Sequence, residues 1–262
     1  MDKLIRRFRS RLFTLIVGFV ALGGLPACEE SPTGPEIPPE PVDGRVYRVQ
    51  VRYPSMTPVE NATVRIKLDG TVFTQSTGED GWCRIPVSNS VDLPTFVIAS
   101  IDHHSIMPAA ITLSGAENSR DTHIVDCSLA PSRIYVKDVD LHHLGNDIYG
   151  GPENSQLQIS TEGIEHSYQF QLASLPGRMP RYRIYARGVQ RGTEIIINGH
   201  ITNVLGDSDS DGSISQYDHR VTGQPQSILR VGTNILTIKT GANNGQDPWD
   251  DIEYCSLLLY QD

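Results

Sequence analysis

From residue 45 onward, apolar and polar residues alternate one by one through most of the chain. Val46, Val49, Val51 and Tyr53 open the pattern, and in 62–68 Val64, Ile66 and Leu68 fall on one side while Thr63, Arg65 and Lys67 fall on the other. A period of two belongs to a strand, whose successive side chains point to opposite faces. The same alternation predicts strands at 83–87, 95–101, 109–113 and 123–129. Asp69-Gly70 and Asp80-Gly81 are hairpin-turn pairs. Ala130-Pro131-Ser132 interrupts the pattern. It then resumes, predicting strands at 134–139, 156–160, 167–172, 181–186, 193–197, 227–229, 234–239 and 251–260. No segment sustains a helical period. Short strands at regular spacing predict an all-β protein of two antiparallel β-sandwich domains, 45–131 and 132–262.

The first 44 residues follow a different logic. Lys3, Arg6, Arg7, Arg9 and Arg11 precede an apolar stretch over 12–25. That stretch is shorter than the roughly twenty residues of a membrane span, and it suits the apolar part of a signal peptide. It ends in Leu25-Pro26-Ala27-Cys28, which resembles the lipobox of a bacterial lipoprotein, with Pro26 its one departure. The resemblance implies removal of 1–27 as a signal peptide and acyl chains on Cys28, which would anchor the protein stably in a membrane. The plainer alternative is an ordinary signal peptide cut after Ala27. Glu29 and Glu30 follow, without the aspartate that retains some lipoproteins at the inner membrane, which points to the outer membrane. Residues 28–44 are acidic and contain Pro32, Pro35, Pro38, Pro39 and Pro41. Such a segment favours extended polyproline II and serves as a stalk.

Charge narrows the partners. Removing 1–27 takes five of the 22 basic residues and one of the 31 acidic ones, leaving 17 and 30 and a net charge near −13. Such a chain repels nucleic acid and anionic lipid headgroups and suits cations. Cys83 and Cys127 alternate with apolar neighbours in predicted strands, and Cys255 lies in an apolar strand and reads as core. Export permits a disulfide between Cys83 and Cys127, while buried free thiols are the plainer alternative.

Two further resemblances bear on fold. An opening valine strand, Pro58-Val-Glu-Asn-Ala-Thr-Val64 and Thr77-Gly-Glu-Asp-Gly-Trp-Cys-Arg-Ile85 make 46–129 similar to the carboxypeptidase regulatory-like, or transthyretin-like, domain. Trp82 and Cys83 depart from its usual residues there. That family implies a spacer or adhesive sandwich and brings no catalytic residues. Ile195-Ile-Ile-Asn-Gly-His200, Leu229-Arg-Val-Gly-Thr-Asn-Ile-Leu-Thr-Ile238 and Trp249-Asp-Asp-Ile-Glu-Tyr-Cys-Ser-Leu-Leu-Leu259 resemble the galactose-binding-like jelly rolls of carbohydrate-binding modules. The likeness implies a sandwich and leaves the ligand open, because sandwiches host many functions.

Candidate chemistry is sparse. Asp207-Ser-Asp-Ser-Asp-Gly-Ser-Ile-Ser-Gln-Tyr-Asp218 is similar to an EF-hand or dockerin calcium loop without its helices. Its expected ligands are Asp207, Asp209, Asp211, the Ser213 carbonyl and Asp218, since calcium takes six to eight oxygens and a glycine permits the bend. An acidic turn of good loop formers is the bland alternative. Trp249, Asp250, Asp251 and Tyr217 are candidates for ligand contact, with Trp249 stacking on a sugar; the alternative is a Trp that covers the end of the sandwich. The adjacent pairs His103-His104 and His142-His143 face opposite sides of a strand, and no His-x-His or HExxH occurs, so a zinc site is not expected. Glu162 and Glu165 read as solvated loop charges, and no nucleophile elbow, P-loop or dinucleotide fingerprint appears. The expectation is a non-catalytic envelope lipoprotein binding a glycan or other surface component, with a calcium-stabilised loop. The alternative is a structural or assembly lipoprotein whose sandwiches contact a protein partner. Mass spectrometry of the mature N-terminal peptide should find acyl chains on Cys28, and Cys28→Ser should leave the membrane fraction; an unmodified Cys28 would contradict the anchor.

Overall fold

The structure is a computed structural model, and it describes residues 44–68, 70–88, 93–114, 122–146, 157–189, 192–207, 212–241 and 251–262. The first half contributes β1 (Gly44–Arg52), β2 (Thr63–Leu68), β3 (Thr71–Ser76), β4 (Trp82–Ser88), β5 (Phe96–Asp102), β6 (Ala109–Ser114) and β7 (Thr122–Asp126). The second contributes β8 (Arg133–Asp138), β9 (His142–Leu144), β10 (Glu165–Leu172), β11 (Arg181–Arg187), β12 (Glu194–Ile197), β13 (His200–Val204), β14 (Ser215–Arg220), the single turn α1 (Pro225–Ile228), β15 (Gly232–Lys239) and β16 (Ile252–Gln261). The fold is all-β, with sheets packed as sandwiches. Among the described residues no helix is long and apolar enough to cross a membrane.

Sheets β4-β1-β7 and β3-β2-β5-β6 enclose one core, which includes Val49, Val64, Ile66, Ile85, Ile101 and Leu113. Sheets β10-β15-β12-β13 and β14-β11-β16-β8 enclose the other, around Phe170, Ile184, Ile195, Leu236, Tyr254 and Leu257. Alternation sets both: β2 buries every second residue, and so do β4 and β12. One pairing departs from the antiparallel expectation, because β7 lies parallel to β1 from Arg48–Thr122 to Arg52–Asp126. Among the described residues, two expected strands are absent. The backbone N–H groups of Gln158 and Ile159 bond a carboxylate instead of a neighbouring strand. Pro225, two residues before the stretch expected as strand 227–229, begins α1, where a missing N–H and a fixed φ suit the first turn of a helix. Cys83, Cys127 and Cys255 are buried free thiols, and burial pushes the pKa of each up to about 12.

The two sandwiches belong to one compact unit, Glu40–Asp262, and β16 shows why. Its sequence is almost continuously apolar, the signature of a strand covered on both faces, and it is buried from Ile252 to Tyr260. Ile252, Tyr254, Leu257 and Leu259 enter the core of the second sandwich. Cys255 packs instead with Ile98 and Ala110 of the first sandwich, and Leu258 and Tyr260 with Met107. Strict alternation cannot give this set, since Tyr254 and Leu257 are three residues apart. A β-bulge supplies the extra residue: the register against β11 shifts between Arg183 and Tyr185, and Ser256 has φ 54°. The Ser256 hydroxyl donates to the Ala109 carbonyl, 2.7 Å away across the junction.

A buried ion pair lies at the same junction. Arg187 and Glu253 are cross-strand neighbours, and their side chains are 1% and 0% exposed. Arg187 donates to Glu253 Oε2 from Nε at 2.9 Å and from Nη2 at 2.5 Å. Its Nη1 reaches across to the Phe96 carbonyl at 2.8 Å. Glu253 Oε1 accepts the backbone N–H groups of Gln158 and Ile159. The Gln158 amide in turn donates to the Lys67 and Ile98 carbonyls at 2.7 and 3.0 Å and accepts the Ile98 N–H at 2.6 Å. It thus serves the backbone of β2 and β5 just past Ile66–Ala99, where the two strands cease to pair. Arg187→Met or Glu253→Leu alone should cost about 3–5 kcal/mol, because each leaves the partner's charge buried and unpaired, and the double variant should recover part of that loss. Urea unfolding of the four chains checks this; single variants as stable as the parent would refute it.

Candidate functional site

Among the described residues, a tight group of titratable side chains lies where β8, β9 and β10 meet. The Asp138 carboxylate closes β8 by accepting the Asp140 N–H at 2.9 Å, a local turn typical of aspartate. The chain then returns as β9 along β16, which sets His142 opposite Tyr254. Residues 159–163 follow β9 on its other side: Glu162 N–H donates to the His143 carbonyl, and Gly145 N–H to the Gly163 carbonyl. That pairing brings Glu162 beside His142. From β10, His166 and Tyr168 project two residues apart, on one face of the strand.

The resulting contacts are tight. His142 Nε2 lies 2.9 Å from Asp138 Oδ2, and Nδ1 lies 2.6 Å from Glu162 Oε2. His166 Nδ1 is 3.8 Å from the same Glu162 oxygen. The His142 ring stacks on Tyr254 and meets His166 edge-on at 4.3 Å. His166 stacks on Tyr168 at 4.8 Å, and the Tyr168 and Tyr254 hydroxyls are 3.0 Å apart. Lys67 Nζ reaches the Leu141 carbonyl at 2.9 Å and Glu162 Oε1 at 3.4 Å. Burial works against an imidazolium at His142, but hydrogen bonds to Asp138 and Glu162 outweigh it, so its pKa is raised above the ordinary 6.5. Burial also opposes ionisation of Asp138 and Glu162, yet bonds from His142 hold both below their ordinary values. Burial and the His142 charge lower the pKa of His166. An imidazole with a carboxylate on each ring nitrogen can exchange a proton or take a metal at one of them.

His143 faces the opposite side, as its adjacency to His142 requires. It is fully buried, with Nδ1 2.8 Å from the Ile159 carbonyl and Nε2 3.4 Å from Asp251 Oδ1. Asp251 Oδ1 also accepts the Asn146 N–H at 2.7 Å. A Cβ at Gly145 would lie 1.9 Å from that oxygen, so only glycine lets the chain pass.

The expected calcium ligands fare differently from one another. Asp207 is exposed after β13 and Ser213 is half-buried before β14; Asp209 and Asp211 lie outside the described residues. Asp218 stands within β14, where a loop was expected. Its Oδ1 accepts Arg181 Nη2 at 2.8 Å and its Oδ2 accepts Arg183 Nη2 at 2.7 Å. The Tyr260 hydroxyl donates to Oδ1 at 3.0 Å. An ion in the 207–218 loop would have to take this carboxylate from two guanidiniums. Among the expected ligand contacts, Tyr217 belongs to the core of the second sandwich and donates to the Gly206 carbonyl at 2.8 Å. Asp251 is buried, while Trp249 and Asp250, like the lipidation candidate Cys28, lie outside the described residues. Asp138, His142, Glu162 and His166 carried no local signal, because their grouping depends on β9 pairing with the segment before β10.

No protein-family model matches the chain, and no curated protein matches it. Among solved structures, it is similar to a DUF3823 family protein from Parabacteroides merdae, at 10% identity and a TM-score of 0.22, covering 84% of this chain and 99% of that one. It is also similar to a protein from Bacteroides uniformis described as a candidate carbohydrate binder, at 10% identity and a TM-score of 0.24, covering 83% and 98%. Superpositions this loose carry neither fold nor ligand across.

Asp218 gives a pH prediction. Burial opposes its ionisation, but the bonds from Arg181 and Arg183 hold its pKa below the ordinary 3.8. A depressed carboxylate stabilises the fold above its unfolded pKa, and that stabilisation is lost as pH falls through the folded pKa. Asp218→Asn should therefore cost about 1–3 kcal/mol at neutral pH. The gap should close in acid. Urea midpoints from neutral pH down to the acid limb check this; a gap that persists in acid would refute it.

Proposed function

We propose that the chain is a non-catalytic envelope lipoprotein, tethered through Cys28, whose second sandwich recognises a glycan or another envelope component through loops at one of its ends. The observation that carries this reading is the convergence of loop roots. The Asn146 N–H bonds Asp251, so the residues that flank 147–156 and 242–250 meet there. Gly163 pairs with Gly145, and Ile164 accepts the Thr240 N–H at 3.0 Å. A Cβ at Gly241 would lie 2.4 Å from the Gly192 carbonyl carbon, so Gly192, which follows 190–191, lies there too. Loops held on a rigid sandwich are where binding side chains concentrate. Trp249 and Asp250 belong to one of these segments, next to the buried Asp251. The acidic, proline-rich sequence at 28–44 suits presentation away from the bilayer.

Exposed apolar residues favour a second reading, an assembly protein that contacts a partner. Ile201 and Val204 on the edge strand β13 are 59% and 56% exposed. Edge strands with apolar side chains suit association. Residues 40–262 on a glycan array, with and without calcium, distinguish the two readings. Glycan binding that is lost in Trp249→Ala at unchanged stability supports recognition. Absence of any glycan binding, with a protein partner retained by the parent and lost in Ile201→Lys, supports assembly.

A further inference from the structure

We propose that His142, Glu162 and His166 form a binding site for a divalent transition-metal ion of the zinc class. One ring nitrogen of each histidine and one oxygen of Glu162 all lie within 4.8 Å of one another. A tetrahedral ion with bonds of about 2.0–2.1 Å places its donors roughly 3.3 Å apart. Closing on such an ion needs only side-chain adjustment: the 2.6 Å contact between His142 Nδ1 and Glu162 Oε2 opens, and the 3.8 Å contact between His166 Nδ1 and the same oxygen closes. The ion takes the place of the proton shared between His142 and Glu162, which goes to solvent.

The surroundings fit a metal site in three ways. His142 Nε2 is held by Asp138 Oδ2 at 2.9 Å, which is the usual arrangement behind a metal-binding histidine and leaves Nδ1 as the ligand atom. Asp138 and Glu162 together balance a dication. His142 is largely buried, while His166 and Glu162 are 32% and 34% exposed. The site is therefore walled on one side and wet on the other, so the protein supplies three ligands and water the fourth. Lys67 stays on the remaining Glu162 oxygen, Oε1, where it does not block the ion. Two imidazoles and one carboxylate select zinc-class ions over calcium or magnesium, which take oxygen ligands.

Calorimetric titration of the purified full chain with zinc chloride should show one ion bound tightly, undisplaced by excess calcium or magnesium. His166→Ala and Glu162→Gln, both partly exposed, should each lower zinc affinity at least tenfold while circular dichroism shows the metal-free chain still folded. Asp138→Asn should weaken it by about 10–100-fold, as for other groups that support a metal ligand. His104→Ala should bind as the parent does. A folded parent chain that binds no zinc would overturn the proposal. So would displacement of zinc by calcium, or parental affinity in both His166→Ala and Glu162→Gln.

Discussion

Arg187 carries a full charge into a place that is 1% exposed, and everything around it is arranged to keep that charge satisfied. Removing a guanidinium from water costs several kcal/mol, so the group must find a counter-charge and acceptors for its remaining N–H donors. Glu253 supplies the charge from the neighbouring strand, and the Phe96 carbonyl accepts from the opposite sandwich. Glu253 then has an oxygen to spare, which fixes Gln158 and Ile159, and Gln158 completes the backbone bonding of β2 and β5. One charge thereby determines the path of the segment that leads to Glu162 and the histidine cluster. It also fixes how the sheet containing β16 lies on the sheet containing β5.

The apolar layer around this pair explains why the two cores do not behave as beads on a string. β5 and β16 are each buried on both faces, one towards their own core and one towards the other sandwich. The bulge at Ser256 allows both faces of β16 to be apolar and correctly aimed. Without that extra residue, Leu257 and Leu259 would point into the junction and Leu258 and Tyr260 into the core.

Much of this was legible in the sequence and some was not, for identifiable reasons. Strands such as β2, β4, β10 and β12 announce themselves because one face meets a core and the other meets water. The largely apolar run of β16 predicts a strand, but it does not say which of its faces meets another sandwich. β14 was hidden because its residues, Ser-Gln-Tyr-Asp-His-Arg, contain one apolar anchor, and its Asp218 matched the last position of a calcium loop. Nothing local marks Asp218 as the partner of Arg181 and Arg183, since that depends on β14 pairing with β11. Arg187 and Glu253 read as ordinary charges until the strands that carry them are placed side by side. The histidine cluster is the extreme case. His142 and His166 sit 24 residues apart in segments without a shared motif, and only the path imposed by Gln158 and Glu253 brings Glu162 between them.

The central claim is that the buried pair and the apolar layer fuse both sandwiches into one cooperative body. Scanning calorimetry of residues 40–262 tests this most directly. A fused body unfolds in one transition whose calorimetric and van't Hoff enthalpies agree. Two resolved transitions, or a calorimetric enthalpy well above the van't Hoff value, would mean that the sandwiches melt separately and that the junction does not hold them together.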